Sequence, residues 1–148
     1  MPAIRAIGFR RAGLSGGKAS DDIVLEAQDR HLRRKLIVTR KGREVLVDLA
    51  KPVKLEQGDH LLLEDGSQIA IIAREENLME VRGRDAAHLM KLAWHIGNRH
   101  LEAQIEKERI LIRRDAVIAE MLAHQGASVK DVTERFEPEH GAYHGHAH

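Results

Sequence analysis

With 148 residues, 43% hydrophobic and 32% charged, the chain is long enough for one ordinary domain or two small ones. Its 24 Lys and Arg against 23 Asp and Glu leave a formal charge of +1, which argues against a general polyanion binder, and its zero cysteines exclude disulfides and thiolate metal sites. Imidazole, carboxylate and backbone remain as metal ligands.

In chain order, residues 1–5 lack the apolar core of a secretion signal. No later run approaches the length of a membrane span, so a cytoplasmic protein without membrane insertion is expected. Residues 1–75 read as a small all-β domain, with β-rich runs at 23–27, 36–39, 44–49, 60–63 and 69–72. Lys41-Gly42, Gly58-Asp59 and Asp65-Gly66 separate them, and Asp-Gly between two apolar runs predicts a type I′ hairpin with positive φ at both central residues. Residues 14–18 read as a loop.

From residue 76 the pattern changes. Residues 78–81 read as a strand, and a helix follows from Asp85 with Ala86, Leu89, Met90, Ala93 and Ile96 spaced by three and four. At about 100° per residue His100 extends this ridge, whereas His95 lies roughly 140° from it. Residues 101–105 and 109–113 read as strands around a turn at 106–108. Asp115 is placed to cap a second helix with the stripe Val117, Ile118, Met121 and Leu122, Gly126 suits a left-handed C-cap, and residues 127–136 read as a last strand. The order β-α-β-β-α-β over 76–137 is that of a ferredoxin-like unit, giving an α+β fold. Residues 138–148, rich in Pro, Gly and His without apolar period, read as a flexible tail.

Histidine carries the candidate chemistry. Ten are present, and His140, His144, His146 and His148 fall in the last nine residues. These alternate with small residues, which lets several imidazoles gather around Ni²⁺, Zn²⁺ or Cu²⁺. His100 is the sharpest single candidate, against the bland reading of a helix-end histidine facing the last-turn carbonyls. No two histidines of its helix can close on one ion, so co-ligands must come from another segment or another copy of the chain. His31, His60, His88 and His124 lack ligand spacing and read as surface or capping residues. Nucleotide-loop, zinc-protease and serine-hydrolase signatures are missing. Basic clusters at 30–35 and 113–114 raise the alternative of an RNA-interaction module, but the strands that should offer stacking rings contain no aromatic residue, so no nucleic-acid partner is expected. A general divalent-metal binding or storage protein and a plain protein-interaction module stay open as rival functions.

Trp94-His95-Ile96-Gly97-Asn98-Arg99-His100, then Ile112-Arg113-Arg114-Asp115, Phe136-Glu137-Pro138-Glu139 and Gly141-Ala142-Tyr143 before a His-rich end, resemble the UreE-type urease accessory proteins. Residues 42–49 and 58–66 resemble them too, so the likeness spans nearly the whole chain. It implies a cytoplasmic, homodimeric nickel chaperone that is not an enzyme. Its parts would be a peptide-binding-like domain over 1–75, a metal-binding and dimerisation domain over 76–137, and a His-rich tail over 138–148. It further implies delivery of Ni²⁺ to the urease apoprotein together with accessory proteins that include a GTPase. The family's interfacial metal-binding histidine falls on His100. Some relatives carry further histidines between the third strand and second helix of this domain. Here that stretch reads Arg113-Arg114-Asp115-Ala116, so the auxiliary site is expected to be absent. A two-fold axis beside the first helix would bring two copies of His100 together, with the stripe Leu89, Ala93 and Ile96 holding the dimer and tail histidines completing the coordination.

Overall fold

Alternation of buried and exposed residues builds the first half of the chain. In β4 (Glu44–Lys54) Val45, Val47 and Leu49 point inward while Glu44 and Ala50 face water, the period of two of a half-buried strand. The computed structural model describes residues 3–14 and 16–139 and divides into two units, Met1–Arg74 and Glu75–His148. In the first, β1 (Ile4–Arg10), β2 (Asp21–Leu25), β3 (His31–Val38), β4, β5 (His60–Leu63) and β6 (Gln68–Ala73) form one sheet in the order β2-β6-β5-β1-β4-β3. The pairs β1–β4 and β2–β6 are parallel.

Three local features differ from expectation. β1 carries Arg5, Gly8 and Arg10 and fully buries only Ala6, so no alternation announces it. A 3-10 turn at Ala27–Arg30 ends the strand after Leu25, and β3 begins early enough to take in Arg33, Arg34 and Lys35. At Asp65-Gly66 a hairpin forms, but Gly66 alone of the pair takes positive φ (87°), and Gly66 N–H donates to Leu63 O at 3.0 Å. This is a three-residue loop closed by a glycine bulge rather than a type I′ turn.

One buried carboxylate ties this sheet's ends. Asp21, 4% exposed, accepts bonds from the Thr39 hydroxyl, Asp22 N–H at 2.8 Å and Lys41 N–H at 3.2 Å. Burial pushes its pKa up, and these bonds more than offset the push, leaving it below the usual aspartate range. Its stabilisation is therefore present at neutral pH and lost as pH falls through that range. Asp21→Ala should destabilise by about 2 kcal/mol at pH 7, with the gap to wild type closing below about pH 4, in urea unfolding at both pH values.

The second unit runs β7 (Glu75–Arg82), α1 (Ala86–Asn98), β8 (Gln104–Ile105), β9 (Ile110–Arg113), α2 (Ala116–His124) and β10 (Ser128–Arg135), with an antiparallel sheet ordered β10-β7-β9-β8. This is the expected ferredoxin-like βαββαβ arrangement. Leu89, Leu92 and Ile96 of α1 and Ile118 and Leu122 of α2 pack on Met79, Val81, Ile110 and Ile112 of the sheet. Asp85 caps α1 by accepting from His88 N–H, and Asp115 caps α2 by accepting from Val117 and Ile118 N–H.

Both helices end in the same hydrogen-bonded reversal. After α2, Gly126 takes φ 85°, its N–H donates to Ala123 O at 3.0 Å, and Ala127 N–H donates to Leu122 O at 3.1 Å. After α1, His100 takes φ 59°, its N–H donates to Gly97 O at 3.0 Å, and Leu101 N–H reaches Ile96 O at 3.5 Å. These are Schellman caps, with Leu101 folded back toward Ile96 in the core. The expectation that His100 extends the helical ridge is thereby corrected: α1 stops at Asn98. Likewise the strand expected over 101–105 shrinks to Gln104–Ile105, since Leu101 N–H serves the cap. A left-handed non-glycine residue costs roughly 1–2 kcal/mol, partly offset by the lower unfolded-state freedom it has compared with glycine. In urea unfolding, His100→Gly should therefore raise stability by up to about 1 kcal/mol. Gly126→Ala should lower it, because the new methyl also meets the Arg84 guanidinium; a loss in both would contradict the role given to these caps.

Candidate metal centre

His100 is exposed, and its Cα is fixed by the cap rather than by a place on the helix surface. The tail histidines His140, His144, His146 and His148 lie outside the described residues. Among the described residues no group of three or more His, Asp or Glu side chains gathers as a metal site. Of the histidines named as candidate ligands, His100 is the one within the described residues, and it stands at the C-terminal end of α1.

Four other described histidines make contacts of their own. His95 is half-buried, and its ring meets Trp94 edge to face at 5.1 Å between centroids. His88, expected as a surface or capping residue, is only 8% exposed and takes the second of those roles. Its Nδ1 accepts from Arg84 N–H at 2.9 Å, and its Nε2 lies 2.8 Å from Gln125 O, which requires the tautomer with hydrogen on Nε2. It therefore ties the start of α1 to the C-cap of α2, a role no periodicity signals. His60 sits between Arg10 and Gln68 in the first unit, and exposed His124 lies 3.7 Å from Glu120.

α1 buries Leu89 and Ile96 within its own unit, so the expected dimer stripe of Leu89, Ala93 and Ile96 is not the free one. The outward apolar residues are Met90, 72% exposed, and Trp94, 64% exposed. Gly97 lies within about 20° of Met90 around the helix, and His95 about 160° from Gly97. Among the described residues a Cβ built on Gly97 meets nothing within 4 Å, so none of them calls for glycine there, although glycine inside a helix costs about 1 kcal/mol relative to alanine. A tryptophan on an outward helical position was the sequence signal for this face.

The β9–α2 junction is built from charge rather than imidazole. Arg113 pairs with Glu102 at 2.6 Å and Glu76 at 3.3 Å and lies over the Phe136 ring at 4.9 Å. Burial alone would lower its pKa, and the two carboxylates outweigh burial and raise it. Arg114 donates to Leu78 O and Val132 O, both at 3.1 Å, and Asp115 is occupied as the helix cap. On the sheet, Arg109 binds Glu134 through two bonds of 2.8 Å and also reaches Glu106 and Glu80. Arg109 holds Glu134, and Arg82 with Arg109 holds Glu80, below the usual carboxylate range.

Comparison with known proteins agrees with this architecture. Residues 7–74 match the N-terminal domain of the UreE urease accessory protein, and residues 76–148 match its C-terminal domain. The urease accessory protein UreE of Brucella anthropi is 58% identical over 126 residues, covering 84% of this chain and 74% of the relative. That of Agrobacterium fabrum is 47% identical over 143 residues, covering 97% and 89%. That of Rhizobium rhizogenes is 49% identical over 142 residues, covering 96% and 85%. With both domains matched in chain order and relatives this similar over most of its length, the chain belongs to the UreE family of urease accessory proteins.

Proposed function

We propose that this protein is a cytoplasmic, homodimeric nickel chaperone that delivers Ni²⁺ to the urease apoprotein during urease maturation, working with accessory partners that include a GTPase. The observation that carries the reading is His100: in a urease accessory family, an imidazole is displayed on a rigid main-chain support where glycine would be the less strained choice. Two copies of His100, one from each protomer, form the core of the site. His140, His144, His146 and His148 of the tail supply further ligands. Zn²⁺ and Cu²⁺ accept the same donors.

A carrier must release its cargo as well as hold it. Neutral imidazoles bind singly and can be withdrawn one at a time, so a partner with more ligands takes the ion over in steps. No bond of the cargo is made or broken apart from coordination, and catalysis has no part in the proposal.

Calorimetric Ni²⁺ titration tests it. His100→Ala should abolish the tightest binding event, while His95→Ala, on the other side of the helix, should leave it nearly intact; equal losses in both variants would refute the assignment. Protons compete for imidazole, so affinity should fall as pH drops from 7.5 to 5.5. Deleting residues 140–148 should lower the number of Ni²⁺ ions bound, with circular dichroism of the metal-free protein unchanged. A large fall in its melting temperature would show instead that the tail is structural.

A further inference from the structure

β10 lies at one edge of the second unit's sheet and β8 at the other. Residues 136–139, which follow β10, cross the end of the sheet between them. Phe136 and Pro138 are buried on the way, and the Arg113 guanidinium lies 4.9 Å over the Phe136 ring. The crossing ends in two hydrogen bonds. Glu137 N–H donates to Gln104 Oε1 at 2.8 Å, and Glu139 N–H donates to Ala103 O at 2.7 Å. Gln104 Nε2 in turn donates to Glu106 Oε2 at 2.8 Å, and Arg109 holds Glu106, so the amide keeps its oxygen toward Glu137. β8 and β10 each pair with a neighbouring strand, so the sheet is complete without these bonds. Ala103 follows His100 by three positions, which puts their Cα atoms at most about 11 Å apart. The residue after Glu139 is His140.

We propose that residues 136–139 are a strap that fixes the root of the tail beside His100, with Gln104 as the positioning residue that clasps it. The inference rests on the reading that tail histidines complete the His100 site. A short tether raises the effective concentration of one ligand at another, and that concentration falls about as the −3/2 power of tether length. With Glu139 pinned to Ala103, His140 stands one residue from its anchor and His144 five. Unclasped, the last anchored residue is Phe136, three positions earlier. That slack lowers the effective concentration about two- to eightfold, the larger figure for the nearer histidine. The strap offers no donor to the ion in this account. It acts only by where it starts the tail.

A double-mutant cycle read by calorimetric Ni²⁺ titration tests this. The first arm is the pair Gln104→Leu and Glu139→Pro, which removes the acceptor of one bond and the donor of the other. The second arm silences the tail in the full chain by changing His140, His144, His146 and His148 to Ala. With the tail histidines present, the pair should weaken the tightest Ni²⁺ event about two- to eightfold. In the silenced chain the same pair should change nothing. Glu139→Ala, which keeps the N–H, should bind Ni²⁺ more tightly than Glu139→Pro, and this comparison serves alone if circular dichroism shows the pair unfolded. Equal losses with and without the tail histidines would overturn the inference, by showing that these residues act through the fold. No loss in either chain would overturn it too, and in both cases the tail reading stands if silencing the tail itself weakens Ni²⁺ binding. A silenced chain that binds Ni²⁺ as wild type does would overturn that reading and the strap with it.

Discussion

The reversal of the backbone after α1 is the constraint on which the candidate centre depends. Ile96 is fully inside the second unit and Leu101 packs against the same core, so the chain must turn back within the few residues between them. That turn needs a left-handed residue. α2 meets the same demand with Gly126, the residue suited to it, whereas α1 meets it with His100. The imidazole is thereby carried on backbone held by hydrogen bonds at both ends of the turn, and its support is as rigid as the core beneath it.

Several carboxylates of the second unit are held by arginine. Five of them are engaged in this way: Glu76 and Glu102 with Arg113, and Glu80, Glu106 and Glu134 with Arg109. Acidic groups tied to guanidinium offer little to a passing cation, and neutral imidazole suits Ni²⁺ better than the hard cations that carboxylates attract.

Much of this was legible in the sequence because the signals were local. Asp85 and Asp115 announced the helix starts, Gly126 announced the end of α2, and the spacing of Leu89 and Ile96 announced the buried stripe. The end of α1 was not legible, since a histidine at the left-handed position gives no stop signal and its spacing continues the ridge. Nor were the parallel pairings of β1 with β4 and of β2 with β6, which depend on contacts between distant segments rather than on turns. The burial of His88 escaped for a related reason: its partners, Arg84 N–H and Gln125 O, meet only once both helices are packed. His100 entered as a candidate through the motif that ends in it, while the open face of Met90, Trp94 and Gly97 required knowing which side of the helix the core takes.

The central claim is that one ion is shared by two chains through His100. A hybrid dimer, purified with two different affinity tags and carrying one wild-type chain and one His100→Ala chain, addresses it most directly. Titrated with Ni²⁺ after tag removal, the hybrid should lack the tightest binding event altogether, because one imidazole cannot hold what two share. Retention of that event at half the wild-type stoichiometry would mean that each chain holds its own ion, and would contradict the shared site.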